Sequence, residues 1–299
     1  MLQRLLIPVT KMRMVLTSAL AAHIAHRAPR ELQHCHLIMM CHMSSGHIST
    51  ERDTKSDAIK NVADVGWLRG LSRVGWAWEF LRRNTRYRQQ YAERTASARP
   101  EEWGLLYFEN PDLDSRRAAV FWRLDACSAV LPVIAIPLTE STTAFDPSRL
   151  KCSTTIVPAT SCDQTDVLFQ QQGRILQIAI TGACSLMGVQ LLVPLVPMPR
   201  HSAGRVLALR RFANLVTSSA LQANLYPPER RATRLTKVLQ ALDLWLEQRP
   251  YRDIGVRLFG EPRINLEWND PGDHLRDQVR RAVYYGRTLM EGGYRQFLR

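Results

Sequence analysis

Lysine is scarce in this 299-residue chain. Of its 40 Lys and Arg, 5 are Lys and 35 are Arg, set against 27 Asp and Glu, for a net charge of +13 and a pI near 10.0. Positive charge therefore rides almost wholly on planar guanidinium forks suited to phosphate and guanine edges, and a polyanionic partner is the leading inference. Long apolar runs are missing as well. No stretch reaches the roughly 18 to 20 apolar residues needed to cross a bilayer, and the longest, residues 189–198, is broken around Pro194 and Pro197. The six cysteines, Cys35, Cys41, Cys127, Cys152, Cys162 and Cys184, lack a repeated short spacing. That argues against a disulfide scaffold and fits a reducing compartment, the cytoplasm. Catalytic signatures are also wanting: there is no phosphate-cradling glycine loop, no nucleophile elbow and no pair of carboxylates on one helical face. Neither an enzymatic activity nor a cofactor is expected.

Residues 1–25 place Arg4, Lys11 and Arg13 ahead of an apolar run at 15–22, a superficial likeness to a secretory signal. Residues 27–47 are dense in His, Cys and Met and follow no period of 2 or 3.6. Within them His34, Cys35, His36, Cys41, His42 and His47 crowd soft and imidazole ligands together. A structural zinc site pairs its ligands across a defined turn and a second knuckle, and this tract has neither, so no metal is assigned. Residues 1–63 are expected as a disordered leader or the product of a mis-assigned start, with Met40 and Met43 as internal alternatives.

Residues 64–135 hold most of the aromatics, from Trp67 to Trp122. That density implies a compact aromatic core or a contact surface. Trp76, Phe80, Tyr87 and Tyr91 stand at i, i+4, i+11 and i+15, one stripe of a predicted helix over 75–91, while Arg82, Arg83, Arg86 and Arg88 take the other directions. Two kinds of reading stay open. The aromatics are core beneath a solvated arginine face, or the region is a contact surface that stacks on nucleic acid or docks a protein through Trp76, Trp78, Phe80, Arg82 and Arg83. Asn110-Pro111-Asp112 predicts a turn, and residues 119–122 the start of a short strand.

Residues 136–164 read as a linker, rich in Ser, Thr and Pro over 139–160. Beyond them β-favouring runs at 167–169, 174–181 and 188–193, separated by glycine, predict a small antiparallel sheet without chemistry of its own.

The last hundred residues, 200–299, carry 18 Lys and Arg against 10 Asp and Glu, a balance of +8. Leu235, Val238, Leu239, Leu242 and Leu246 repeat at i, i+3, i+4, i+7 and i+11, predicting a helix over 230–248 that Pro250 stops. A second helix is expected over 251–259, with Ile254 and Leu258 one turn apart and Gly260 ending it at a left-handed position. A third is expected to start at Asp270-Pro271-Gly272-Asp273, with acids at its positive end, and to run to Glu291 before Gly292-Gly293. The expected fold class is α+β: an aromatic N-terminal domain, a small antiparallel sheet and a three-helix unit resembling helix-turn-helix.

On the third helix Leu275, Val279, Val283, Gly286 and Leu289 share one side. At 100° per residue Arg276, Arg280 and Arg287 lie within about 40° of each other beside it, with Tyr284 close by. A helix of this width fits the DNA major groove, where arginines reach guanine edges and flanking phosphates. The candidate DNA-contact residues are Arg252, Arg257, Arg263, His274, Arg276, Arg280, Arg281, Tyr284 and Arg287. His274 is taken as a helix-start or DNA-contact residue rather than a base. The bland alternative is a solvated face partly paired with Asp273 and Asp277. The gap from 260 to 270 is also longer than the turn of an ordinary helix-turn-helix.

Tyr251-Arg252-Asp253-Ile254, Leu258-Phe259-Gly260, Trp268, the run from His274 to Ala282, Gly286-Arg287 and Gly292-Gly293-Tyr294-Arg295 resemble the C-terminal domain of the proteobacterial excision activators, FseA and its relatives. Gly66-Trp67-Leu68, Trp76-Ala77-Trp78-Glu79-Phe80-Leu81-Arg82-Arg83-Asn84, Tyr87-Arg88 and Phe121-Trp122-Arg123 resemble the N-terminal domain of the same activators. The resemblance covers roughly residues 64–135 and 165–299. It implies a helix-turn-helix variant and a transcriptional activator that binds double-stranded promoter DNA and switches on excision and transfer genes of integrative and conjugative elements. The implied partners are RNA polymerase, a small antiactivator, or both. A second hypothesis is a protein-binding antiactivator or regulator of the same fold that makes no DNA contact. Steep salt dependence separates phosphate binding from a largely apolar contact.

Overall fold

The structure is a computed structural model that describes residues 65–93, 98–138, 144–158, 164–182, 188–194, 202–270 and 272–299. The expected leader over 1–63, its His/Cys tract and Pro271 lie outside the described residues.

The architecture is α+β, as expected. After a 3₁₀ turn at Gly66–Gly70 come helices α1 (Arg73–Leu81) and α2 (Thr85–Glu93). Five strands follow: β1 (Val130–Pro137), β2 (Ser153–Pro158), β3 (Gln164–Gln171), β4 (Arg174–Thr181) and β5 (Val189–Leu192). The chain then forms α3 (Ser202–Ser218), α4 (Ala232–Leu246), α5 (Tyr251–Phe259), α6 (Glu261–Glu267) and α7 (His274–Met290), and ends on a 3₁₀ turn at Gly293–Phe297.

The single helix predicted over 75–91 is two helices. Asn84 separates them: its Oδ1 accepts the Tyr87 backbone N–H at 3.0 Å, capping α2, while its Nδ2 donates to the Met290 carbonyl at 3.0 Å. Helix α1 is covered on every side from Gly75 to Leu81, so Trp76, Trp78 and Phe80 are all buried, as is Tyr87 of α2. A protein-docking surface on Trp76, Trp78 and Phe80 is therefore corrected, because these rings have no surface to offer. They share one core with Leu235, Leu239 and Leu242 of α4 and with Leu289, Tyr294 and Phe297. The Phe80 and Phe297 rings stack 6.1 Å apart, and the Tyr294 hydroxyl donates to the Trp103 carbonyl at 2.9 Å.

The sheet order is β2-β3-β4-β1-β5. Most pairs are antiparallel, but β1 runs parallel to β4, with Val133 opposite Ile180, so the sheet is mixed where a purely antiparallel one was expected. Two strands arise where none was expected: β1 crosses the proposed end of the first domain at 135, and β2 lies in the proposed linker. Residues 119–122 add no strand to this sheet; Trp122 makes one isolated bridge with Leu105. Five consecutive residues of β4, from Leu176 to Ile180, are buried. Both faces of that strand are covered, which hides the alternation a half-exposed strand would show. One face meets Ala208, Phe212 and Leu215 of α3. On the other, Gln177 exchanges hydrogen bonds with the Trp122 backbone at 2.9 and 2.8 Å.

Candidate nucleic-acid interface

Helix α4 forms over Ala232–Leu246 because its leucine stripe has a core to face: Leu235, Val238, Leu239 and Leu242 are buried. Against it lies α7, whose Leu275, Val279, Val283, Gly286 and Leu289 are buried along one side. Gly286 sets how closely the two helices cross, since a Cβ there would stand 3.0 Å from Leu242 Cβ and 3.2 Å from the Val238 carbonyl oxygen. A smaller cluster of Ala241, Ile254, Val279 and Val283, flanked by Phe259 and Trp268, locks α5 under the same pair.

The stretch between the second and third expected helices contains α6, so the unit has four helices rather than three. Gly260, at φ +90°, links α5 to α6 directly, a positive φ that glycine accommodates. Pro262 and Glu261 occupy the first turn of α6 and Ile264 is buried. Proline and an acid in a first turn are the signals by which the sequence announces this helix. The overlong turn is thus accounted for, and α7 begins at His274, three residues later than the acids at 270–273 suggested.

The outward side of α7 carries His274, Arg280, Arg281, Tyr284 and Arg287, all exposed, with half-buried Arg276 beside them. Tyr284 is 73% exposed, Arg281 has 76% of its side chain exposed and Arg280 57%. The arginine row is not free of acids. Arg276 pairs with Asp273 through its Nε; Arg280 Nη1 reaches Asp273 at 3.0 Å and Asp277 at 3.1 Å; Arg281 reaches Asp277 at 3.6 Å. Three guanidinium groups share two carboxylates there, leaving one positive charge over. Arg287 lies 4.6 Å over the Trp245 ring and 3.7 Å from Glu291, and His274 contacts Gln278 at 2.9 Å. Solvent-exposed pairs are weak and screened by salt, so a phosphate can displace the carboxylates.

The other expected contacts sit on neighbouring helices. Arg252 of α5 donates to Asn265 Oδ1 at 2.6 Å, and Arg257 is exposed on the same helix. On α6, Arg263 pairs with Glu267 at 3.1 Å and lies 5.6 Å from the Phe259 centroid. Sequence reasoning missed Arg234 and Lys237 on α4, both exposed over aromatic rings, at 5.5 Å from Tyr285 and 5.6 Å from Phe259. Their positions between the buried leucines of the α4 stripe carried that signal.

Residues 195–299 match the family described as "T6SS, Transcription factor, DNA binding domain", and residues 61–108 the family described as "Proteobacterial transcriptional regulator-like domain". These are the domains of a DNA-binding transcriptional regulator. The first description names a transcription factor and the second a proteobacterial regulator-like domain, and neither singles out the excision activators. A comparison with curated proteins returns no match. In this regulator the DNA-binding match contains α3 to α7, and no helix among the described residues is long and apolar enough to cross a membrane.

Arg82 and Arg83, expected on a docking surface, instead both pair with the buried Glu79. Glu79 is 0% exposed; its Oε2 accepts from Arg82 at 2.7 Å and from Arg83 at 2.8 Å, and its Oε1 from the Ser115 backbone at 2.8 Å. Arg83 also spans to Asp243 of α4, with Nη2 3.0 Å from Oδ2. Burial pushes the Glu79 carboxyl up, but Arg83, Arg82 and these hydrogen bonds outweigh it and hold the group below the ordinary carboxylate value.

Proposed function

We propose that the regulator acts in the bacterial cytoplasm, without enzymatic activity, by laying the outer face of α7 in the major groove of promoter DNA. One observation carries the reading: within a matched DNA-binding domain, α7 buries one side and turns four arginines, a histidine and an exposed tyrosine the other way. Arg276, Arg280 and Arg281 supply base-edge or phosphate contacts, Tyr284 packs against sugar or base, and Arg252, Arg257 and Arg263 flank the groove from α5 and α6. The resemblance to excision activators supports a finer reading, in which the targets are excision and transfer genes of an integrative and conjugative element. RNA polymerase, an antiactivator, or both are then its protein partners.

The test is a mobility-shift titration on a duplex selected by the full chain from a random library. Arg276→Ala and Arg280→Ala are each expected to weaken binding roughly tenfold to a hundredfold if they read bases. Asp277→Asn is expected to tighten it, because it releases Arg281, leaves Arg280 with Asp273 alone and removes a charge that repels phosphate. Unchanged binding in the double Arg276→Ala, Arg280→Ala variant shows that α7 is not the recognition helix.

A further inference from the structure

A cleft of about 590 Å³ opens beside the Gly66–Gly70 turn, the tip of the β3–β4 hairpin and the segment 223–228 that leads into α4. That volume lies in the range of small-molecule sites. Trp67, Leu71, Arg116, Arg174 and Tyr226 are among the residues lining it, and no acid is. Arg116 is already engaged: it pairs with Asp114 at 2.7 Å and covers the Trp67 ring at 4.2 Å.

Arg174 differs. Its Nη2 donates to Gln172 Oε1 at 2.6 Å, but its Nε is buried without a hydrogen-bond partner among the described residues. The Tyr226 hydroxyl, on a residue only 8% exposed, is likewise buried and unpartnered. Against the Tyr226 ring lies Arg211, also 8% exposed, its guanidinium carbon 4.1 Å from the centroid and its Nε donating to the Leu225 carbonyl at 3.0 Å. Neither Arg174 nor Arg211 forms an ion pair with any described residue. Burying guanidinium groups without a counter-charge is costly, and orphaned donors beside them compound the cost. An anion in the cleft would give Arg174, which lines it, a counter-charge and an acceptor. Burial pushes the Tyr226 hydroxyl up to about 12 against the opposing pull of Arg211 and Arg174, so at neutral pH it stays an O–H donor.

We propose that this cleft binds a small aromatic anion, its carboxylate or phosphate group held by Arg174 and the Tyr226 hydroxyl, its planar body against Trp67. The cleft shares none of the proposed DNA-contact residues, so its test is independent of DNA binding. Calorimetric titration of the full chain uses three probes: benzoate, phenyl phosphate and neutral benzamide. At least one anion is expected to bind with a Kd of about 1 mM or tighter, with benzamide at least tenfold weaker. The anion that binds better identifies the preferred headgroup. Arg174→Met is expected to weaken the anion at least tenfold and leave benzamide unmoved. Tyr226→Phe keeps the ring over Arg211, so it serves even if the Arg174 variant fails to fold, and it is expected to weaken the anion several-fold. Binding of neither anion, benzamide binding as tightly as the anions, or anion affinity unchanged in a folded variant overturns the proposal.

Discussion

At Glu79 a carboxylate with no exposed surface holds Arg82 and Arg83 and, through Arg83, ties α1 to Asp243 on α4. Removing one member of a buried charge cluster leaves its partners uncompensated, which costs about 3–5 kcal/mol. Glu79→Gln is expected near the low end, since Arg83 keeps Asp243, and urea denaturation measures it; a loss below about 1 kcal/mol contradicts the network. The pH dependence follows from the sign of the shift. Because the folded group titrates below the ordinary value of 4.5, its stabilisation is complete above that value and is lost as pH falls through the folded one. The stability gap between wild type and Glu79→Gln should therefore be constant near neutrality and shrink on acidification.

Helix α7 is held against α4 by a close approach that only a missing side chain permits. Gly286→Val would place carbons against Leu242 Cβ and the Val238 carbonyl, neither of which can rotate away. Overpacking of this kind costs about 1–3 kcal/mol. The same denaturation measurement should show that loss, together with weaker DNA binding as α7 is displaced; unchanged stability contradicts the crossing. Three of the four helices of this unit were legible because each has a clear period and a clear stop: α5 runs over the 251–259 expected, and the leucine stripe of α4 is buried as expected but for half-buried Leu246. The elements that were not legible have physical reasons. β2 pairs on one side only, with β3, and its Ser/Thr-rich sequence matches a linker by composition. β1 carries a proline at 132 and 137 and finds its partners some 40 to 60 residues on, in β4 and β5, a pairing that local pattern does not encode. At the candidate site the outward placement of α7's arginines was legible from helical period. Their sharing of Asp273 and Asp277 depends on side-chain rotamers, which spacing indicates only as an alternative.

Across the whole molecule, the two matched segments meet in one core. Trp76 and Phe80 of the first are clustered with Leu239, Leu289 and Phe297 of the second. The aromatic segment thus braces the DNA-binding helices from behind, and a change in one is felt in the other. The net charge of +13 favours association with any polyanion, but the local distribution decides which face meets it. On α7 the excess over Asp273 and Asp277 is small, so its part in binding has to be measured rather than read from total charge. The direct measurement is fluorescence anisotropy of the full chain on a short random-sequence duplex between roughly 50 and 200 mM salt. The slope of log affinity against log salt reports phosphate contacts, at roughly 0.9 for each. With Arg276, Arg280 and Arg281 all replaced by alanine, the slope is expected to become shallower by about 2 or more. A slope unchanged from wild type would place the phosphate contacts elsewhere and contradict α7 as the DNA-binding face.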